Sequence, residues 1–239
     1  MLNFKGVKAI TIPEGKVAKI TRKSDSVVLW EKVTSRIPSE YQEVEWIRNA
    51  PLTSTGTSKA YIDLGFAFDT AATMYINFQY PSSTSGYPFG AAENSGKYRC
   101  MISQTAANKC CVYGSSGTGY IGEYVTTLEK EANLEFILKK GLLRITDLNT
   151  GNKLENVGQV EYVMTRNLYL FAQNYNTAAR FTGVYQFKSF KYYDKTDALI
   201  CDLVPCYRKS DGVIGMYDTI RKIFLTTAGT GDFTKGADV

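Results

Sequence analysis

From Ala198 to Thr227 the chain reads as three strand-length apolar runs joined by two tight turns. ALICDLVPCYR leads through KSDG into VIGMYD, and TIRK leads into KIFLTT. Such spacing leaves no room for a helix and predicts a β-meander. In DGVIGMYD, Gly212 supplies the positive φ of the first turn. Gly215 falls mid-strand, where a bulge or a close backbone approach is the usual reason for a glycine. A calcium loop needs dense oxygen ligands, whereas only Val, Ile, Gly, Met and Tyr lie between Asp211 and Asp218. The stretch therefore reads as a fold-closing device. Upstream, YIDLGFAF, TMYINFQY, CMISQ, KCCVYG, NLEFILK and LLRITDL repeat the theme of short runs and turns. NLEFILK and LLRITDL pair as a hairpin across Lys140-Gly141, and NTGN turns the chain again. Gln173 to Arg180 reads as a polar loop between two strands. The one candidate helix is TTLEKEANLEF, with a loop as the alternative reading. Many short strands without a helical period predict an all-β, two-sheet antiparallel jelly-roll sandwich. Seventeen tyrosines, twelve phenylalanines and twenty glycines against six prolines suit it.

The chain of 239 residues contains no histidine. That removes Ser-His-Asp and Cys-His catalysis, His-ligated zinc and an imidazole pH switch. Five cysteines are present, with no CxxC spacing. Cys201 and Cys206 share a strand reading, and five steps of ~3.3 Å put them roughly 16 Å apart, too far for a disulfide. All five are expected to be reduced thiols, with neither metal nor cofactor implied. No apolar run reaches membrane-span length, and the opening MLNFKGVKAITIPEGK lacks the apolar core of a signal peptide, so synthesis in a cytoplasm is expected.

Charge divides the chain. Residues 1–36 hold eight basic and three acidic side chains, which accounts for the whole net charge of +5, and the remainder is balanced. A neutral larger part argues against nucleic acid as its ligand. The basic segment reads as three short strands, VKAITI, KVAKITR and VVLW, too few for a core of their own. The polar stretch VTSRIPSEYQ marks the boundary. The expected organisation is a small β-rich anchoring module at 1–36 and a sandwich at 37–239. The basic charge of residues 1–36 suits an acidic partner surface or simply solubility, and Lys8, Lys16, Lys19, Arg22, Lys23 and Trp30 are the candidate assembly-docking residues.

Glu43 and Glu45 in QEVEWI are two apart and would share a strand face, the spacing of a retaining carboxylate pair. Some jelly-roll glycanases that use such a pair resemble an E-x-D-x-x-E pattern, and the intervening acid is missing here, so a solvated strand face is the expectation and no catalytic residue is assigned. Asp63 in YIDLG has no identifiable partner acid and is read as structural. Aromatic rings among Gly and Ser suit sugar stacking when planar polar groups stand beside them. The candidate ligand-binding residues are Tyr87, Phe89, Tyr98, Tyr113 and Tyr120, with Asn174, Tyr175, Asn176 and Arg180. The competing expectation for each ring is the inter-sheet core.

IPSEYQEVEWI, AYIDLGF, NLYLFAQN, FTGVYQFKSFKYYD and the block from Leu199 to Gly236 together resemble one family. It is the concanavalin A-like (laminin G-type) jelly-roll domain of phage tail, fibre and capsid-associated proteins and of gut Firmicutes surface proteins. The N-terminal segment is similar to short modules of phage structural proteins. The resemblance implies a virion or cell-surface setting and glycan binding, and it carries over no catalytic residue. The expected function is an accessory virion protein, made in the host cytoplasm. Residues 1–36 would bind other virion proteins, and the jelly roll would contact a host surface or glycan, without nucleic acid or membrane insertion. Homo-oligomerisation is left open. The alternatives are a jelly-roll glycan-cleaving enzyme and a capsid decoration protein without a ligand.

Overall fold

The computed structural model describes residues 17–22, 28–32, 35–49, 60–69, 72–79, 86–93, 99–106, 109–115, 122–125, 131–139, 142–157, 163–180 and 184–239. Two compact units divide the chain, Met1–Arg36 and Ile37–Val239. In the first, β1 (Val17–Arg22) and β2 (Val28–Lys32) form an antiparallel pair, with Ile20 opposite Trp30 and Arg22 opposite Val28. Lys19 and Arg22 thus lie on β1 and Trp30 on β2. The run VKAITI, with Lys8, and the residues Lys16 and Lys23 lie outside the described residues.

The second unit holds the remaining strands. In chain order these are β3 (Tyr41–Glu43), β4 (Ile47–Asn49), β5 (Ile62–Asp69), β6 (Thr73–Gln79), β7 (Gly86–Ala92), β8 (Arg99–Ala106), β9 (Lys109–Ser115), β10 (Gly122–Val125), β11 (Glu131–Lys139), β12 (Leu142–Asp147) and β13 (Lys153–Val157). They continue as β14 (Val163–Leu170), β15 (Gln173–Tyr175), β16 (Ala178–Arg180), β17 (Gln186–Tyr193), β18 (Leu199–Arg208), β19 (Ile214–Asp218), β20 (Ile223–Leu225) and β21 (Phe233–Lys235). One sheet runs β10-β9-β8-β7-β14-β5, with β15 beside β7. The other runs β13-β12-β11-β6-β17-β18-β19-β20, with β3 on β18 and β4 joining β17 to β21. Among the described residues all pairings are antiparallel except β15 with β7. The architecture is the two-sheet all-β sandwich that the strand spacing predicts, and no helix occurs among the described residues.

Two local expectations are corrected. Glu131–Phe136 is neither helix nor loop, and the strand reading of NLEFILK holds from Asn133 onward. The segment forms most of β11, bonded to β6 on one side and β12 on the other. Two ladders of hydrogen bonds outweigh the helix propensity of Glu, Ala and Leu. Gln173–Arg180 is not an irregular loop but the hairpin β15–β16. Its turn residues Asn176 and Thr177 have φ of 50° and 71°, the two left-handed positions of a tight hairpin turn.

The core lies between the sheets, where period-2 alternation aims one side of each strand inward. Met74, Ile76 and Phe78 of β6, Phe190 and Tyr192 of β17, and Leu203 of β18 meet Ile62 and Leu64 of β5, Phe89 of β7, and Leu168 and Leu170 of β14. Phe171 sits with ring centroids 4.6 Å from Phe187 and 4.9 Å from Phe233. Burying each such side chain contributes about 1.5–3 kcal/mol. A smaller cluster of Ile37, Val204, Cys206 and Tyr217, with Tyr41 and Phe224, packs beside it. β18 therefore contributes residues to two clusters, Cys201 and Leu203 to one, Val204 and Cys206 to the other, and its sequence reads as an apolar run.

DGVIGMYD closes the fold, with β18, β19 and β20 as the expected meander. Gly212 has a φ of 73°. A Cβ on Gly215 would collide with the Leu225 carbonyl oxygen and lie 2.9 Å from Cζ of Phe224. The Phe224 ring occupies the place of the missing side chain and packs on Tyr41, 5.0 Å between centroids. Asp218, fully buried, accepts hydrogen bonds from the Ile220 and Arg221 N–H groups and from Arg221 Nε. Arg221 Nη1 then donates to the Leu64 carbonyl at 2.6 Å, tying this turn to β5 of the opposite sheet. At the other margin, residues 233–239 zip along 43–49. Gly236 N–H donates to Trp46, Glu45 N–H to Ala237, and Val239 N–H to Glu43.

Candidate functional site

Alternation also decides what faces outward. On β4, Ile47 and Asn49 are fully buried, so Trp46 and Arg48 flank them on the other face. On β6 the inward residues are Met74, Ile76 and Phe78, which leaves Thr73, Tyr75, Asn77 and Gln79 on the outer one. The register places Gln186 of β17 between Arg48 and Gln79, Ser189 beside Asn77, Lys191 beside Tyr75, and Tyr193 beside Thr73. Contacts follow the register. Arg48 Nη2 donates to Gln186 Oε1 at 2.6 Å, and Gln186 Nε2 donates to Gln79 Oε1 at 3.1 Å. The Tyr75 and Tyr193 rings meet edge to face, 5.8 Å between centroids.

This row runs along β17 from Gln186 to Tyr193, about 23 Å at the usual strand rise. At the Tyr193 end an open cavity of about 390 Å³ is lined by Thr73, Tyr75, Ile137, Tyr193 and Asp197. At the other end the Trp46 indole lies against Gly236, and the Arg48 guanidinium sits 4.8 Å from its ring centroid. The Trp46 ring is thus within cation–π distance of the guanidinium.

Charges within the row are largely matched. Lys191 pairs with Asp202 at 3.5 Å, and Arg144 pairs with Glu135 at 3.6 Å and Glu155 at 3.8 Å. Tyr75 donates its hydroxyl to Glu135 at 3.0 Å. Burial, with the hydrogen bond to Glu135 and its negative charge, pushes the Tyr75 hydroxyl above the ordinary tyrosine range, so it remains a protonated donor. The surface combines two aromatic rings with a guanidinium and a hydroxyl, above a buried Gln186 that orients the guanidinium. Such a set stacks on and hydrogen-bonds to a polyhydroxylated ligand.

The residues singled out from sequence are dispersed. Phe89 is a correction, because it is fully buried in the inter-sheet core and presents no ring to a ligand. Asn174 is another. It is 3% exposed, donates Nδ2–H to the Asn167 carbonyl and accepts from the Thr177 N–H, so it builds the hairpin turn. Tyr175 and Arg180 stack across the β15–β16 hairpin with 3.3 Å from guanidinium carbon to ring centroid. Asn176 at the tip accepts from Arg166 Nη2 at 3.1 Å. Tyr87 is half-buried on β7. Tyr113 is on β9, opposite Met101. Tyr98 and Tyr120 lie outside the described residues.

β3 ends at Glu43, Val44 bridges to Asp238, and Glu45 sits in a bend, so Glu43 and Glu45 do not share one continuous strand face. Asp63 accepts from the Gly65 N–H at 2.8 Å and from Asn167 Nδ2 at 3.0 Å, a structural use. Among the described residues no three His, Cys, Asp or Glu side chains gather to hold a metal ion. Sequence reasoning passed over Trp46, Arg48, Tyr75, Gln79, Gln186 and Tyr193. The available signal was tyrosine and amide side chains recurring at the outward positions of YINFQ and QFKSFKYY.

A search against protein-family models finds no match, and a comparison with curated proteins finds none either.

Proposed function

We propose that residues 37–239 bind surface glycan through the outer face of the larger sheet, as part of an accessory virion protein of a bacteriophage. The observation that carries the binding role is the Tyr75–Tyr193 pair with its cavity, and Arg48 held in line with it by the buried Gln186. The setting rests on the resemblance of the sequence to virion-associated jelly-roll domains, with residues 1–36 as the attachment segment to other virion proteins. A binding rather than cleaving role is supported by the engagement of the acids on this face. Glu135 is held by Tyr75, Thr146 and Arg144, and Asp202 by Lys191.

The test is a glycan array probed with the full chain, followed by calorimetry on the best oligosaccharide. Tyr193→Ala and Tyr75→Ala are each expected to weaken binding tenfold or more while leaving the melting transition cooperative. Folded variants that bind as well as the parent would remove the face from consideration. Reducing sugar is not expected to accumulate on prolonged incubation with the bound glycan. Mass spectrometry of purified phage particles tests the virion setting.

A further inference from the structure

We propose that the Arg48 end of this face is a subsite for a carboxylate-bearing sugar. This rests on the glycan reading of the face and adds a ligand class to it. A guanidinium carries five N–H donors in a fixed fork. Of those on Arg48, one has a partner among the described residues, the Nη2–H donated to Gln186 Oε1. The side chain is half-buried and its guanidinium lies over the Trp46 indole, itself backed by Gly236. The Nε atom is buried without a partner among the described residues, the bond to Gln186 holds the Nη2 end, and Nη1 with the second Nη2–H is left for a ligand.

Charge supplies the second half of the argument. Lys191 and Arg144 elsewhere on the face are matched by carboxylates, whereas none pairs with Arg48 among the described residues. A guanidinium held at one end, with parallel donors unused and no counter-charge, is the geometric complement of a planar carboxylate, which it grips through two hydrogen bonds. Gln186 is buried and spends its amide on Arg48 and Gln79, so it positions the guanidinium rather than meeting the ligand. A uronic acid unit placed here directs its chain along β17 toward the Tyr75–Tyr193 cavity.

The experiment compares acidic oligosaccharides with their methyl esters on the full-length protein, using oligogalacturonate and oligoglucuronate tetramers in calorimetry. Esterification removes the charge and leaves the ring and hydroxyls. The parent chain is expected to bind the free acid at least tenfold more tightly than the ester. Arg48→Gln is expected to bring that ratio near one, and Arg48→Lys, which keeps the charge and loses the fork, to give an intermediate ratio. Equal binding of acid and ester by the parent protein overturns this inference and leaves the glycan reading standing. The same holds if the acid preference survives in Arg48→Gln. Because the acid-to-ester ratio of the parent needs no variant, poor folding of Arg48→Gln does not shelter the idea. Binding of no glycan, acidic or neutral, overturns both readings.

Discussion

Replacing Gly215 with alanine adds one methyl group to the middle of β19, and the structure says what it meets. The new carbon collides with the Leu225 carbonyl oxygen and lies 2.9 Å from Cζ of Phe224. The carbonyl belongs to β20, which is registered against β19 through Met216–Leu225 and Tyr217–Phe224. Backbone cannot rotate away as a side-chain tip can. The Phe224 ring is confined as well, with Tyr41 at 5.0 Å and the Arg208 guanidinium at 5.6 Å. Overpacking a filled site costs about 1–3 kcal/mol, and a backbone obstacle places this case near the upper end. For a domain of this size that corresponds to a fall in Tm of about 4–10 °C.

Gly212→Ala is the internal comparison. Nothing lies within 4 Å of its added carbon, so only the left-handed φ of 73° is penalised, by about 1 kcal/mol. Urea unfolding of both variants at unchanged m-value separates steric from conformational cost. A Gly215→Ala protein as stable as Gly212→Ala would refute the reasoning, because the added carbon would then have found room.

Three further outcomes are expected. Burial raises the Asp218 pKa, but hydrogen bonds from Arg221 and from the Ile220 and Arg221 N–H groups outweigh it and hold the carboxyl below its ordinary range. The folded-state pKa is depressed, so the stabilisation is present above the unfolded value of about 3.9 and is lost as pH falls through the folded value. Tm measured from pH 6 down to 2 should fall more steeply in the parent than in Asp218→Asn. Thr177→Gly should stabilise the chain by about 1 kcal/mol in chemical denaturation, because Thr177 holds a φ of 71° that only glycine adopts freely. A destabilised Thr177→Gly would mean that the threonine side chain compensates its own backbone strain. Burial pushes the Cys206 thiol up to about 12 and raises that of Cys201 too, so iodoacetamide should label both slowly in the folded protein and rapidly in urea.

What the residues disclose about this fold is the part that is local. The meander from Leu199 to Leu225 could be read because each strand and turn is encoded in adjacent residues, down to separate reasons for Gly212 and Gly215. The Phe190–Tyr192 alternation was readable for the same reason. The candidate site was not. Arg48, Gln186 and Gln79 touch across separations of 138 and 107 residues, and no single strand's alternation tells which distant strand will lie beside it. The misplaced candidates failed in a related way. Phe89 stands among glycine and serine and looks like a loop ring, yet β7 is paired with β8 and β14 and turns it inward. Asn174 looks like an exposed amide, but a tight turn without glycine needs a side chain to cap it, and Asn174 does so.

The zipper between residues 43–49 and 233–239 brings the way into the sandwich and the way out of it to one margin, with Val239 N–H bonded to the Glu43 carbonyl at 3.0 Å. A unit whose entry and exit adjoin is geometrically suited to insertion into a loop of a host protein, because the interrupted chain resumes close to where it left. It is equally suited to circular permutation. A short linker between those ends, with new termini opened in the exposed turn at Asn149–Gly151 between β12 and β13, should leave both sheets intact.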